Sequence, residues 1–137
     1  LFARTVAKEP NLFRGETVIV NKSKFVAHCA EIQNENDFQS VLNTLMQDKK
    51  IQSATHNISA YRIKQGDDIV DYNNDDGENG ASEWLLTLLK RSNAHNVCVI
   101  VTRWYGGVQL GSDRFRIIAK CAEAVLKENN FIKGKTK

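Results

Sequence analysis

The stretch NVCVIVTRWYGGVQLGSD, residues 96–113, decides the fold, because an apolar strand runs directly into a glycine-rich turn and a helix start. Residues 96–102 are β-branched and apolar at both alternating positions, which is typical of a central strand buried on both faces. Three glycines then interrupt the pattern: Gly106, Gly107 and Gly111. Ser112 or Asp113 is predicted to cap the helix that follows.

The remaining strands lie on the N-terminal side of this stretch. Alternating apolar residues predict a hairpin over residues 16–32, with its turn at Asn21-Lys22-Ser23. Residues 58–63 and 69–72 predict two further strands, and the polar run at residues 73–80 predicts a loop.

Two more helices are indicated by apolar residues at spacings of three and four. Asn36 or Asp37 is predicted to cap the first, and Lys49 and Lys50 are predicted to close it, where cations favour the helix dipole. The second extends from Trp84 to the Ser92-Asn93 pair. The element order ββ-α-ββ-α-β-α therefore predicts an α+β fold, a mixed sheet covered by helices.

The length of 137 residues suits one domain. Residues 1–14, which contain the only proline, predict an arm or linker remnant, and residues 15–137 predict the domain. Because the chain begins at Leu1 and not at a methionine, we expect it to be a fragment of a longer protein.

Charge is strongly segregated along the chain. Residues 1–64 carry nine Lys/Arg and six acids, and residues 65–83 carry seven acids and no base. Residues 90–137 carry ten bases and three acids. This pattern favours a protein that meets macromolecular partners through two oppositely charged surfaces.

Cysteine usage indicates a reducing compartment. Cys29, Cys98 and Cys121 each lie in an apolar pattern, and no Cys/His cluster has zinc-site spacing. The longest strongly apolar run, residues 97–101, is far too short to span a bilayer. We therefore expect buried free thiols, no metal, no cofactor, no membrane association and a location in the cytoplasm. The nucleus stays open as a second location.

The glycine turn invites comparison with a phosphate-binding loop. Gly106 and Gly111 have the glycine spacing of a P-loop, but Ser112 and Asp113 stand where Lys and Ser/Thr are required. Gly106, Gly107 and Gly111 are therefore interpreted as structural, permitting a tight strand-to-helix turn.

The acidic run Asp75-Asp76-Gly77-Glu78 is a second candidate site. Its carboxylates could bind a divalent cation or act with His56 as an acid/base pair, but neither an EF-hand layout nor a nucleophile is present. The favoured interpretation is structural: one acid near a helix N-terminus, Asp76 paired with Arg103, and His56 as a hydrogen-bonded structural residue.

Arg103-Trp104-Tyr105 is the third candidate, three large side chains where the central strand emerges. Aromatic residues and arginine are enriched in binding hot spots, and they also stack on bases; ordinary packing at the edge of the core is the equal alternative. We expect a binding surface formed by these residues together with Asp75, Asp76 and Glu78.

Three segments in register carry a family resemblance: residues 54–62 (ATHNISAYR), 75–78 (DDGE) and 102–111 (TRWYGGVQLG). Together they resemble the Impact family, specifically its ancient C-terminal domain, over about residues 22–126. LGSDRF at residues 110–115 is closer to the eukaryotic branch.

The resemblance implies a fold similar to domain two of ribosomal protein S five, an N-terminal RWD domain absent from this chain, and no catalytic activity. It also implies a translation-stress regulator that restrains the amino-acid-starvation kinase by competing for the kinase's activator protein, and that binds monomeric actin. Two alternatives stay open: an RNA- or ribosome-binding module, favoured by the basic C-terminal third, and a hydrolase built on His56 and Asp76.

Overall fold

The computed structural model describes residues 10–133, which form six strands and four helices. The strands are β1 (Phe13–Arg14), β2 (Val18–Val20), β3 (Ser23–Glu31), β4 (His56–Gln65), β5 (Asp68–Asn74) and β6 (Val97–Trp104). The helices are α1 (Glu35–Met46), α2 (Lys49–Gln52), α3 (Ala81–Arg91) and α4 (Asp113–Glu128). The α+β class predicted from the sequence is confirmed.

All six strands belong to one sheet with the order β1-β3-β6-β4-β5, and β2 also pairs with β3. Every pairing among the described residues is antiparallel, so the expectation of a mixed sheet is wrong in strand direction. The hairpins β2–β3 and β4–β5 make their own pairs antiparallel. β4 and β6 each follow a helical connection, and each also runs antiparallel to the strands on either side of it.

The central position predicted for residues 96–102 is confirmed, because β6 pairs with β3 on one side and β4 on the other. Its side chains alternate between two cores. Val97, Val99 and Val101 pack with α3 and α4, whereas Cys98 and Ile100 pack with the α1–α2 segment. Helices therefore cover both faces, which explains the continuous apolar run in the sequence.

The N-terminal boundary differs from the prediction. Phe13 and Arg14, placed in the expected arm of residues 1–14, pair with Cys29 and His28 of β3. The Gly15 N–H then donates to the Ala27 carbonyl at 2.8 Å, which joins the segment to the sheet. The first nine residues of the expected arm lie outside the described residues.

The caps of α1 and α2 also differ from expectation. Asn34, and neither Asn36 nor Asp37, is the N-cap: its side chain accepts from the Asp37 N–H at 2.9 Å. Asp37 in turn accepts from the N–H of Gln33, the residue before the N-cap, at 2.8 Å. Lys49 and Lys50 do not close α1; they begin α2, because the Asp48 side chain caps a new turn.

Cys29, Cys98 and Cys121 are buried free thiols. Burial raises the pKa of Cys29 to about 12 and that of Cys121 to about 11, and it also raises the pKa of Cys98. Among residues 10–133, no helix combines the length and apolar character needed to cross a bilayer.

Candidate functional site

The buried carboxylate of Glu78 is the centre of an ionic cluster at the end of the central strand. Its Oε2 lies 2.5 Å from Nη1 of Arg103, and its Oε1 lies 2.8 Å from Nε of Arg114. His56 completes this group, with Nε2 3.9 Å from Oε2 of Glu78. We call these four residues the Glu78 cluster.

Three elements bring the Glu78 cluster together. Arg103 is near the end of β6, on the same strand face as Val99 and Val101, and therefore points toward α3 and α4. Arg114 is in the first turn of α4. Glu78 lies in the turn before α3, where its N–H donates to the Asp75 carbonyl at 3.0 Å.

The expected pair between Asp76 and Arg103 is wrong. Asp76 adopts a left-handed backbone with φ 48°, and its Oδ2 accepts from the Asn57 N–H of β4 at 2.7 Å. Glu78 is two positions further along and has a longer side chain, and it reaches Arg103 instead. The Asp76 carboxylate therefore fastens the loop to β4.

His56 lies opposite Arg103 on the neighbouring strand. Its Nδ1 is 2.8 Å from the carbonyl oxygen of Asp76. Because a carbonyl only accepts, Nδ1 carries the proton and donates it, and Nε2 faces Glu78. The imidazole thus links the acidic loop to the end of the sheet.

Asp75 organises the start of α3. Its carboxylate accepts hydrogen bonds from the Ser82 N–H at 2.8 Å and the Gly80 N–H at 3.2 Å, and also from the Ser82 hydroxyl. Partial burial alone would raise the pKa of Asp75, but the bonds from Ser82 and Gly80 outweigh it and hold that pKa below its ordinary value of 3.8. Asp75 therefore acts as a helix N-terminal acceptor, because the N-cap position is Gly80.

The glycine turn lies against the β2–β3 hairpin. A Cβ on Gly106 would lie 2.0 Å from the Lys22 carbonyl oxygen, so only glycine permits this approach. Gly107 has φ +91° and Gly111 has φ +60°, both in open space. The Tyr105 N–H donates to Oγ1 of Thr55 at 2.9 Å, which ties the turn to the segment before β4.

Arg103, Trp104 and Tyr105 do not form one surface. Because side chains alternate along a strand, Trp104 points to the opposite face of the sheet, where its Nε1 donates to the Lys50 carbonyl at 3.0 Å. Tyr105 stays on the side of the Glu78 cluster: its ring is 5.7 Å from the Arg103 guanidinium and is 46% exposed.

A cleft of about 290 Å³ opens above the Glu78 cluster, and Tyr105 and Gln109 form part of its wall. Two guanidinium groups neutralise Glu78 within it, and Asp75 and Asp76 accept from backbone N–H groups. Within residues 10–133, no group of three or more His, Cys, Asp or Glu is arranged to bind a metal. The Glu78 carboxylate, which lines this cleft, is thus occupied by internal contacts that join its walls.

The sequence interpretation missed two residues. Arg114 was not singled out, although it follows the glycine turn by three positions and begins α4. Trp84 belongs to the apolar residues that predict α3, but it is 47% exposed while Leu85 and Leu89 are fully buried. The helical period alone does not separate the two faces, because Trp84 and Leu88 are four apart just as Leu85 and Leu89 are.

The fold and the Glu78 cluster define a small α+β domain with helices on both faces of an antiparallel sheet. The chain belongs to the Impact family: the family model described as Impact N-terminal domain matches residues 21–126. The family resemblance recognised over residues 22–126 is thereby confirmed.

Curated relatives show the same relationship. Protein IMPACT of Xenopus laevis is 41% identical over 132 residues, which cover 95% of this chain and 42% of that protein. The Protein IMPACT homolog of Caenorhabditis elegans is 44% identical over 125 residues, covering 88% of this chain and 49% of that protein. The chain therefore spans less than half the length of these relatives.

Two solved structures resemble the chain. The two-domain translational regulator Yih1 is 30% identical, with a TM-score of 0.59, over 93% of this chain and 52% of the Yih1 chain. A hypothetical protein is 20% identical, with a TM-score of 0.68, over 96% of this chain and 65% of its own. The second likeness concerns the fold alone.

Proposed function

We propose that this chain is the family domain of a translation regulator that acts in the amino-acid-starvation response. The observation that carries the proposal is the 30% identity to the two-domain translational regulator Yih1 over 93% of the chain. In this proposal the protein restrains the starvation kinase by competing for its activator protein, chiefly through a further domain, and the present domain binds monomeric actin. The protein would act in the cytoplasm and the nucleus.

The geometry supports a binding role over catalysis. Glu78 is buried between Arg103 and Arg114, and the side chains of Asp75 and Asp76 accept from backbone N–H groups. A general base needs a lone pair directed at substrate, and both oxygens of Glu78 already contact guanidinium groups. A hydrolase built on His56 and Asp76 is disfavoured because Nδ1 of His56 meets the backbone carbonyl of Asp76 and not its carboxylate, which accepts from the Asn57 N–H instead. Nε2 of His56 faces the buried Glu78.

An RNA- or ribosome-binding role is the second candidate, and one observation favours it: Arg91, Arg116 and Lys120 line a common groove between α3 and α4. Contacts to phosphates would make such binding weaken steeply as salt rises. A protein interface that buries Tyr105 would lose less affinity.

The test is to titrate the domain with monomeric actin and with a single-stranded RNA, at low and at physiological salt. We expect actin binding that survives physiological salt, and RNA binding that is micromolar or weaker.

A second experiment tests the role in the starvation response. The full-length protein is overexpressed in amino-acid-starved cells, where it should lower phosphorylation of the kinase's initiation-factor substrate. Salt-resistant RNA binding without actin binding, and unchanged phosphorylation, would contradict the proposal.

A further inference from the structure

A groove of about 530 Å³ lies between α3 and α4. Trp84, Leu88 and Ala119 contribute its apolar surface, and Arg91 and Lys120 contribute basic groups. We call it the α3–α4 groove. It is formed by side chains of two helices and is separate from the Glu78 cluster.

Trp84 is held rigidly at the edge of this groove. Its ring stacks on that of Phe115 with centroids 6.0 Å apart and an interplanar angle of 19°. Phe115 in turn lies beneath the Arg114 guanidinium at 4.4 Å, and Arg114 is fixed by Glu78. An aromatic side chain that is both exposed and already ordered loses little entropy on binding, which is the property of a hot-spot residue.

The charged residues around the groove favour an acidic binding partner. Arg116 pairs with Asp113 at 3.6 Å, and Glu123 pairs with Lys127 at 3.2 Å. Within the described residues, Arg91 and Lys120 form no ion pair, and Glu83 is the only unpaired acid among the groove residues. The unpaired groups therefore carry a net positive charge, with Arg91 at the opposite end of α3 from Glu83 and Lys120 on α4.

The shape of the groove favours a helical partner segment over an extended one. Both walls are helices whose backbone groups bond internally, so no strand edge is present for pairing with an extended segment. A helix satisfies its own backbone and needs to present only side chains. α3 has 11 residues, a length of about 16 Å, which matches an apolar stripe over about three helical turns.

We propose that the α3–α4 groove binds an acidic amphipathic helix of a partner protein. The apolar stripe of that helix packs on Trp84, Leu88 and Ala119, and its flanking carboxylates pair with Arg91 and Lys120. A second copy of this chain does not fit, because α1, the helix with two acids in its first turn, buries its apolar face at Phe38, Val41 and Leu45, and α3 and α4 themselves form the groove. The proposal does not depend on the actin assignment.

The test uses two phage-displayed libraries of 16-residue peptides. Both vary Leu, Ile, Phe and Met at the positions of a helical stripe, and they differ only in carrying Glu or Lys at the flanking positions. Selection against the complete chain should enrich binders from the Glu library. Their affinity should fall by about tenfold or more on Trp84→Ala and on the double substitution Arg91→Glu with Lys120→Glu.

Matched controls distinguish the groove from general surface effects. Val70, 40% exposed on β5, is replaced by Ala to match Trp84→Ala, and Lys49 and Lys50 on α2 are both replaced by Glu to match the charge reversal. These controls should leave peptide affinity within about twofold.

Several outcomes would overturn the proposal. They are binders from the Lys library alone, no binders from either library, or Glu-library binders insensitive to the groove substitutions. Dimerisation of the chain that is lost on Trp84→Ala would assign the groove to a second copy. A 20-nucleotide RNA that binds through Arg91 and Lys120 and displaces the selected peptides would assign it to nucleic acid.

Discussion

Glu78 and Arg103, 25 positions apart in sequence, form an ion pair in which the side chains are 6% and 5% exposed. A pair so well buried is costly to break from one side, because the remaining charge stays desolvated. The second oxygen of Glu78 contacts Arg114, so one carboxylate connects the end of β6 to the start of α4. The Glu78 carboxylate therefore links the two elements that flank the glycine turn, β6 before it and α4 after it.

Replacing Glu78 with Gln should lower the free energy of unfolding by about 3 kcal/mol, because the Arg103 guanidinium would stay buried without a counter-ion. Urea unfolding measures this difference. Glu83→Gln, at an exposed position of α3, the helix that follows Glu78, should change stability by less than about 0.5 kcal/mol. In a double-mutant cycle, Glu78→Gln and Arg103→Met should couple by about 1 kcal/mol or more, and stronger coupling between Asp76→Asn and Arg103→Met would refute the assigned pair.

Gly106→Ala should destabilise the protein by about 3 kcal/mol, because the added Cβ would collide with the Lys22 backbone and force the hairpin away. Gly107→Ala is the matched control: it has open space and meets only the backbone strain of φ +91°, which costs about 1 kcal/mol. Thermal unfolding of the two variants gives the comparison. Equal losses would mean that the close approach to Lys22 is not the constraint.

Asp75 should contribute stability that depends on pH. Its folded pKa is held below 3.8, so its contribution is fully present above that value and is lost as pH falls through the lower folded pKa. The difference in unfolding free energy between the wild type and Asp75→Asn should therefore be largest at neutral pH and shrink on acidification below about pH 4. Urea unfolding across a pH series tests this, and a difference that grows toward low pH would contradict the assigned hydrogen bonds.

The three thiols should be unreactive in the folded protein, because burial raises the pKa of each and disfavours the thiolate. With an aromatic disulfide reagent at neutral pH, we expect labelling at least about a hundredfold slower than in denaturant. Mass spectrometry locates the label. Rapid modification of Cys121 in the native protein would show that the α4 face opens readily.

The sequence by itself determined the elements whose signal is local. The apolar run at residues 97–101 predicted the central strand because a strand covered on both faces needs apolar residues at every position. The motifs at residues 54–62, 75–78 and 102–111 likewise identified the family. A family resemblance depends on residue identities and their spacing along the chain, and it can be seen without knowing any contact. The end of α3 near Ser92 was also correctly predicted, whereas β6 extends to Trp104, two residues beyond the predicted end of the strand.

Only the tertiary structure decided which charges meet and which aromatic residues are exposed. Asp76 and Glu78 are near neighbours in an acidic loop, and the choice between them as partner of Arg103 depends on the left-handed backbone at Asp76 and the extra methylene of Glu78. Trp104 and Tyr105 are adjacent in sequence, yet strand alternation sends them to opposite faces. Long-range pairs of this kind depend on how separate elements are oriented, and a linear pattern contains only the period of each element.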